Sequence, residues 1–171
     1  MPGRQWFDRK FDLGLPPEHL PDVVERLRGT PLRLRERAAQ CPAERLHLRR
    51  EGGWSVVEQV GHLTDLEHLW LGRLDDFVAG AAVLRPADLE NRATWDAKHN
   101  DRSIGDHLDR FEALREVLVR RVEEMGADEP LRSSLHPRLD QPMTVVDLAF
   151  FVAEHDDHHL AAITALSGAL S

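Results

Sequence analysis

The sequence predicts an all-α protein, a four-helix bundle with an additional short helix, folded as a single domain over residues 1–171. Three observations lead there. At three places a serine or threonine is followed three residues later by an acid (Ser55 with Glu58, Ser103 with Asp106, Thr144 with Asp147), the capping-box signature of a helix start. Each signature opens a long amphipathic run with the roughly 3.6-residue period of a helix that buries one face. Strand-like alternation bounded by tight turn signals is absent from the sequence, as are internal repeats and low-complexity linkers.

The elements follow in order. Pro21 suits the first turn of a helix, where its missing N–H costs nothing, and that helix runs to about Gln40. Pro31 falls inside it and is expected to bend or interrupt it, because proline removes a backbone donor. A loop, CPAERLHLRREGG, leads to the second helix, about 56 to 80. A shorter helix is expected around 87 to 100, and a third long one at about 104 to 126. The stretch GADEPLRSSLHPRLDQPM reads as loop from its prolines and glycine. The last helix covers about 145 to 168. Four long amphipathic helices in 171 residues bury a core without disulfide staples.

Composition excludes several functions. The net charge is −8, with basic and acidic residues interleaved, so no basic face offers itself to a phosphate backbone and no nucleic-acid partner is expected. No apolar run approaches the roughly 18 residues of a membrane span, so no membrane partner is expected either. The opening MPGRQWFDRKFD lacks a secretory apolar stretch, which points to the cytoplasm. Cys41 is the sole cysteine, too few for an internal disulfide or a cysteine-based metal site, and reads as a plain thiol.

Ten histidines make the chain unusual. In EHDDHHLAAI, residues 154 to 163, a turn of about 100° per residue places His155 and His159 in the middle of the apolar stripe formed by Leu148, Phe151, Val152, Ala162, Ile163 and Leu166. His158 and Asp156 sit on its edges, and Asp157 points to solvent. Two imidazoles one turn apart on one face can share a metal ion. The second helix, WSVVEQVGHLTDLEHLW, supplies the third candidate. His62 shares a face with Leu66 and Leu69 and is the better inward choice than His68, although a second apolar sector (Val57, Val60, Leu63, Leu71, Leu74) leaves the facing of this helix open. Three neutral imidazoles with a free position suit a catalytic zinc, nickel, copper or iron(II). The HExxH pattern fails, since Asp156 follows His155, and the paired Glu-x-x-His helices of a two-iron site are missing.

These residues carry a resemblance. WSVVEQVGHL, HPRLDQPMTVVDLAFFVAEHDDHHLAAI and WFDRKFDLGLPPEHLPDVVERLRGTP together resemble the DinB-like superfamily, and within it the YfiT-like proteins related to bacillithiol S-transferases, over nearly the whole chain. The resemblance implies a four-helix bundle holding one divalent metal, zinc or nickel, on His62, His155 and His159. It also implies a homodimer and metal-dependent hydrolysis or transfer of a low-molecular-weight thiol to a small-molecule substrate. One departure is Ala162, where many relatives carry Gln or Arg.

The expected chemistry is thiolate attack on an electrophilic carbon, a thiol S-transferase, since a metal-bound thiol is deprotonated at neutral pH. A metal-activated water would give a hydrolase, and binding without turnover is the remaining reading. Glu58 and Asp65, within about a turn of His62, are candidates to orient an imidazole or take a proton, with solvated surface acids as the plainer reading. Asn91 and Trp95 are candidates to line a pocket, with Trp95 as core the alternative, and His99 shares their helical spacing. His136 reads as a turn residue before Pro137, with a pocket lid residue the alternative.

Overall fold

The computed structural model describes residues 5–50, 52–128 and 132–168. Five helices dominate it: α1 (Leu20–Gln40), α2 (Val56–Val78), α3 (Arg92–Asp96), α4 (Ile104–Asp128) and α5 (Val145–Ser167). The four long ones form the bundle. α1 packs on α4 and α5, and α2 packs on the same two. The consecutive helices α1 and α2 therefore stand at diagonal corners. No helix among the described residues is long and apolar enough to cross a membrane.

The helix starts behave as the local sequence dictates. Oγ of Ser55 accepts from the backbone N–H of Glu58 while Glu58 accepts from Ser55 N, and Thr144 and Asp147 repeat the exchange. Ser103 accepts from the N–H of Asp106. Asp147 does a second job. Its Oδ1 accepts from Gly14 N at 2.8 Å and Leu15 N at 2.9 Å, which ties the N-terminal segment to α5. Gly14 has φ of +88° there, a conformation glycine adopts without strain. The strap so anchored lays Trp6 against His155 and Phe11 against Phe151.

Three expectations need correction. Pro31 does not interrupt α1. The carbonyl it strands, that of Leu27, accepts from the Arg115 guanidinium at 3.3 Å, so the lost helical bond is replaced from another helix. The loop before α5 contains a hairpin, β1 (Ser133–His136) paired antiparallel with β2 (Gln141–Thr144), while residues 129–131 lie outside the described residues. Strands of four residues are too short to show a period, and the segment around Ala82 to Leu84 also bonds to Leu135. The short helix expected around 87 to 100 shrinks to α3 and a separate 3-10 turn at His99–Asp101. Asn91 and Lys98 take left-handed φ of 53° and 51° and break the run at both ends.

The core is layered along the bundle axis. One apolar cluster holds Leu27, Trp70, Leu74, Phe77, Leu118, Val122, Leu148 and Phe151. The other holds Leu34, Val60, Leu63, Leu108, Phe111, Leu160 and Ile163. Between them each long helix contributes one buried polar residue: Thr30, Glu67, Arg115 and Asp156. Arg115 reaches Glu67 through Nε (3.2 Å) and Nη2 (2.6 Å) and Asp156 through Nη2 (3.0 Å) and Nη1. With Leu27 O, all five guanidinium protons have acceptors. Thr30 donates to Asp156 at 2.8 Å. Burial pushes the Arg115 cation down, but Asp156 and Glu67 outweigh it and raise its pKa. This layer fixes the axial register of the four helices and, with it, the height of the histidines beside Asp156.

Candidate metal centre

His62 on α2 and His155 and His159 on α5 converge in the interior, all buried. One nitrogen from each ring lies within 4.8 Å of the other two. The sequence expectation from helical phase is met for α5, and on α2 both sectors left open turn inward: His62 faces the triad while Val57, Val60, Leu63 and Leu74 are buried in the core. His68 is exposed.

The donor set can be worked out atom by atom. Nδ1 of His159 donates to Oε1 of Gln59 at 2.5 Å, and an amide oxygen only accepts, so Nε2 of His159 is left with a bare lone pair. Nε2 of His155 faces it at 3.2 Å. Two such nitrogens repel unless a proton or a cation lies between them. Tetrahedral coordination at metal–nitrogen bonds of about 2.0–2.1 Å separates two ligand nitrogens by about 3.3 Å, close to the spacing seen. Nδ1 of His62 shares a hydrogen bond with Oγ1 of Thr94 at 2.9 Å, which turns its Nε2 toward the other rings. Gln59 and Thr94 are thus the outer partners that fix ring orientation. Nδ1 of His155 is buried without a hydrogen-bond partner, and that ring is held instead by Trp6 at 4.8 Å and Trp70 at 5.9 Å between centroids.

Burial favours the neutral form of all three imidazoles, the form that binds metal. Burial lowers the pKa of His62 to about 4, with His99 and His158 adding to the effect and Asp65 opposing it. Burial and the neighbouring rings push His155 and His159 well below the ordinary range. A divalent ion fits these residues, and no fourth histidine, cysteine or carboxylate among the described residues joins the cluster.

The triad opens onto a cavity of about 360 Å³. Trp54 covers the histidines, with its ring 4.5 Å from His62 and 6.1 Å from His159. Leu66, Leu69, Trp70 and Phe151 form apolar walls, and Trp6 and Phe7 of the strap close one side. Of the lining expected from sequence, Asn91 is present. Trp95 is neither core nor lining: it is 43% exposed, sits edge-on to Trp54 at 5.9 Å and carries Arg49 on its face.

The two acids expected to serve His62 are engaged elsewhere. Glu58 is buried in its capping box and bonded through both oxygens to Arg49. Burial raises its carboxyl, but the Arg49 and Ser55 hydrogen bonds prevail and hold it below the usual carboxylate range. Asp65 accepts from His99 Nε2 at 2.8 Å. Neither bonds a histidine of the triad. His136 ends β1 directly before the turn at Pro137, as its place in the sequence suggests, but it is buried and lines the cavity, with Nε2 3.0 Å from Nη1 of Arg73. Gln59, Thr94, Trp6, Arg73 and Arg138 carried no local signal of a site. Gln59, Thr94 and Arg138 lie close in sequence to residues already singled out, His62, Trp95 and His136.

A family model described as the DinB superfamily matches residues 26–163. The chain belongs to the DinB superfamily. A search of solved structures finds YfiT from Bacillus subtilis, described as a probable metal-dependent hydrolase with an unusual four-helix bundle topology. It is 22% identical, with a TM-score of 0.78 over 95% of this chain and 93% of that one. That likeness extends the agreement in fold to nearly the whole length, past the ends of the family match. No curated protein matches this DinB-superfamily chain in a sequence search.

Proposed function

We propose that the protein is a metal-dependent enzyme whose zinc or nickel is held by His62, His155 and His159, and that it transfers a low-molecular-weight thiol to a small electrophile. The observation that carries this reading is a three-histidine cluster with no fourth protein ligand among the described residues, opening into an aromatic-walled cavity. Three ligands and a free position are the arrangement of a catalytic rather than a structural site. A divalent ion bound there supplies Lewis acidity that lowers the pKa of a thiol or water at the free position.

The residues of the chain favour thiol over water. Hydrolysis wants a general base beside the nucleophile, and the acids near the triad are already committed, Glu58 to Arg49 and Asp65 to His99. Asp88, a carboxylate of the cavity lining, accepts from the backbone N–H of Glu90 and Ala93. A thiol needs no such base, because coordination alone removes its proton. Trp54, Trp70 and Phe151 exclude water and give an organic electrophile apolar surface to lie on.

The test is elemental analysis of protein purified without added nickel, followed by conjugation of cellular thiols to a chromogenic electrophile. Metal-free protein and His155→Ala serve as controls. One metal per chain and conjugation lost in both controls is the expected result. Equal rates in all three samples defeat the transferase reading, and metal-dependent cleavage of esters or amides in its place makes the protein a hydrolase.

A further inference from the structure

The cavity has a second polar end that the metal centre does not use. Arg73, on α2, is 1% exposed, and Arg138, in the β1–β2 turn, is half-buried; both line the cavity. Trp70 and Phe151 link this end to the histidines. Arg73 lies over the Trp70 ring at 5.4 Å and Trp70 is 5.9 Å from His155, while Arg138 lies 6.0 Å from the centroid of Phe151.

Buried cations are ordinarily paired, and these two are not. Neither makes an ion pair with any carboxylate among the described residues, in contrast to Arg115 or Arg26. Of the two acids that follow Arg73 on α2, Asp75 pairs with Arg121 and Asp76 is taken up by Arg85 through its backbone N–H, Nε and Nη2. What Arg73 does bond is neutral: Nε donates to the Arg85 carbonyl at 3.2 Å and Nη1 to His136 Nε2 at 3.0 Å. Nη2 of Arg138 is buried with no partner.

Donors also outnumber acceptors around His136. Its Nε2 faces Arg73, and its Nδ1 faces the backbone N–H groups of Arg138 and Leu139, each at 3.2 Å. A neutral imidazole has one bare nitrogen, so one of those two sets of donors goes unanswered. An unpartnered guanidinium N–H, a surplus of donors and two arginines without an ion pair among the described residues describe a place that can take an anion.

We infer that Arg73 and Arg138 form an oxyanion subsite that binds the carboxylate of the small molecule occupying the cavity, with its apolar body on Trp70 and Phe151 and its reactive end toward the histidines. The inference deepens the proposed function, and rests on that reading in taking this cavity as the substrate site. A guanidinium pair recognises a carboxylate through short, charge-assisted hydrogen bonds, and inside a low-dielectric cavity those bonds are strengthened. The carboxylate belongs either to the thiol or to its electrophilic partner, and the two share this chemistry.

The experiment is calorimetric titration of metal-loaded and metal-free protein with 3-phenylpropionate and with its neutral amide, at fixed ionic strength. The acid is expected to bind at least tenfold more tightly than the amide in both forms, since the arginines and not the metal hold it. Arg138→Met, at a half-buried turn position, is expected to reduce that preference to under threefold; Arg73→Lys, which keeps the charge and loses the fork, should weaken it too. Equal affinity for acid and amide overturns the inference. So does a preference that survives Arg138→Met and disappears when the metal is removed. A chain that holds no metal yet keeps the arginine-dependent preference overturns the metal-dependent reading and leaves the subsite standing. Repeating the titration with 3-mercaptopropionate against its methyl ester, in competition with 3-phenylpropionate, shows whether the carboxylate can be that of the thiol.

Discussion

Arg115 donates to the carbonyl of Leu27, 88 residues earlier, at 3.3 Å, and that carbonyl is the acceptor Pro31 leaves without its helical donor. One guanidinium therefore mends α1 and hydrogen-bonds both Glu67 and Asp156 in the middle of the bundle. Removing one partner of a buried ionic cluster leaves the others as uncompensated charge, at a cost of about 3–5 kcal/mol. Arg115→Met should lower stability by that much, measured as the urea midpoint of the metal-free protein. A loss under about 1 kcal/mol would mean that the layer contributes little to stability. Replacing Glu67, Arg115 and Asp156 together by apolar residues should cost much less than Arg115→Met alone.

Legibility followed the range of the interactions. Capping boxes act within four residues, so the starts of α2, α4 and α5 could be read from Ser55, Ser103 and Thr144. The inward facing of His155 and His159 follows from the period of one helix. What could not be read depends on distant partners. The continuity of α1 through Pro31 needs Arg115, the hairpin needs pairing of Ser133 with Thr144, and the capture of Asp65 needs His99 across 34 residues. Arg73 and Arg138 are ordinary arginines in sequence. What marks them out in space is that neither makes an ion pair among the described residues and that Nη2 of Arg138 is buried without a partner.

Metal stoichiometry separates ligands from neighbours. His159→Ala should abolish stoichiometric binding, because His155 and His62 alone leave two ligands. His158, half-buried and packed against Trp6 at 5.8 Å, stands outside the triad, so His158→Ala should retain one metal per chain. Gln59→Leu removes the acceptor that orients His159, and should weaken metal affinity about 10- to 100-fold without changing the stoichiometry at saturation. Competition with a chelator of known affinity measures all three. Full metal retention in His159→Ala would remove it from the ligand set.

Gly61 precedes His62 and leaves room for the His99 ring. A Cβ at position 61 would lie 2.4 Å from Cγ of that ring, and an imidazole held by Asp65 at 2.8 Å cannot swing aside without losing the bond. Gly61→Ala should therefore destabilise the protein by about 1–3 kcal/mol, the range for overpacking a core. Adding His99→Ala to Gly61→Ala should recover part of the loss, since the steric conflict goes with the ring. Thermal denaturation of the single and double variants tests this, and additive effects would refute the clash.

His136 makes stability depend on pH above the range where exposed carboxylates titrate. Burial, together with Arg73 and Arg138, lowers its pKa from 6.5 to about 3 in the folded protein. Below about pH 6.5 the unfolded chain binds a proton at this residue that the native state refuses. The unfolded state then holds more protons, so stability falls as pH falls, by up to about 1.4 kcal/mol per pH unit for this one group. His62, lowered to about 4 by burial, adds a contribution of the same sign. Between about pH 6 and 5 the carboxylates other than Glu67, whose carboxyl burial raises, remain largely ionised in both states, and a comparison of two proteins that share Glu67 isolates His136. In metal-free protein, His136→Gln should keep an acceptor for Arg73 while removing one titrating group, so its stability should fall less steeply across that interval, by about 1 kcal/mol per pH unit. Equal slopes for the two proteins would mean that the native state accepts a proton at His136, and that Arg73 and Arg138 do not exert the field their positions imply.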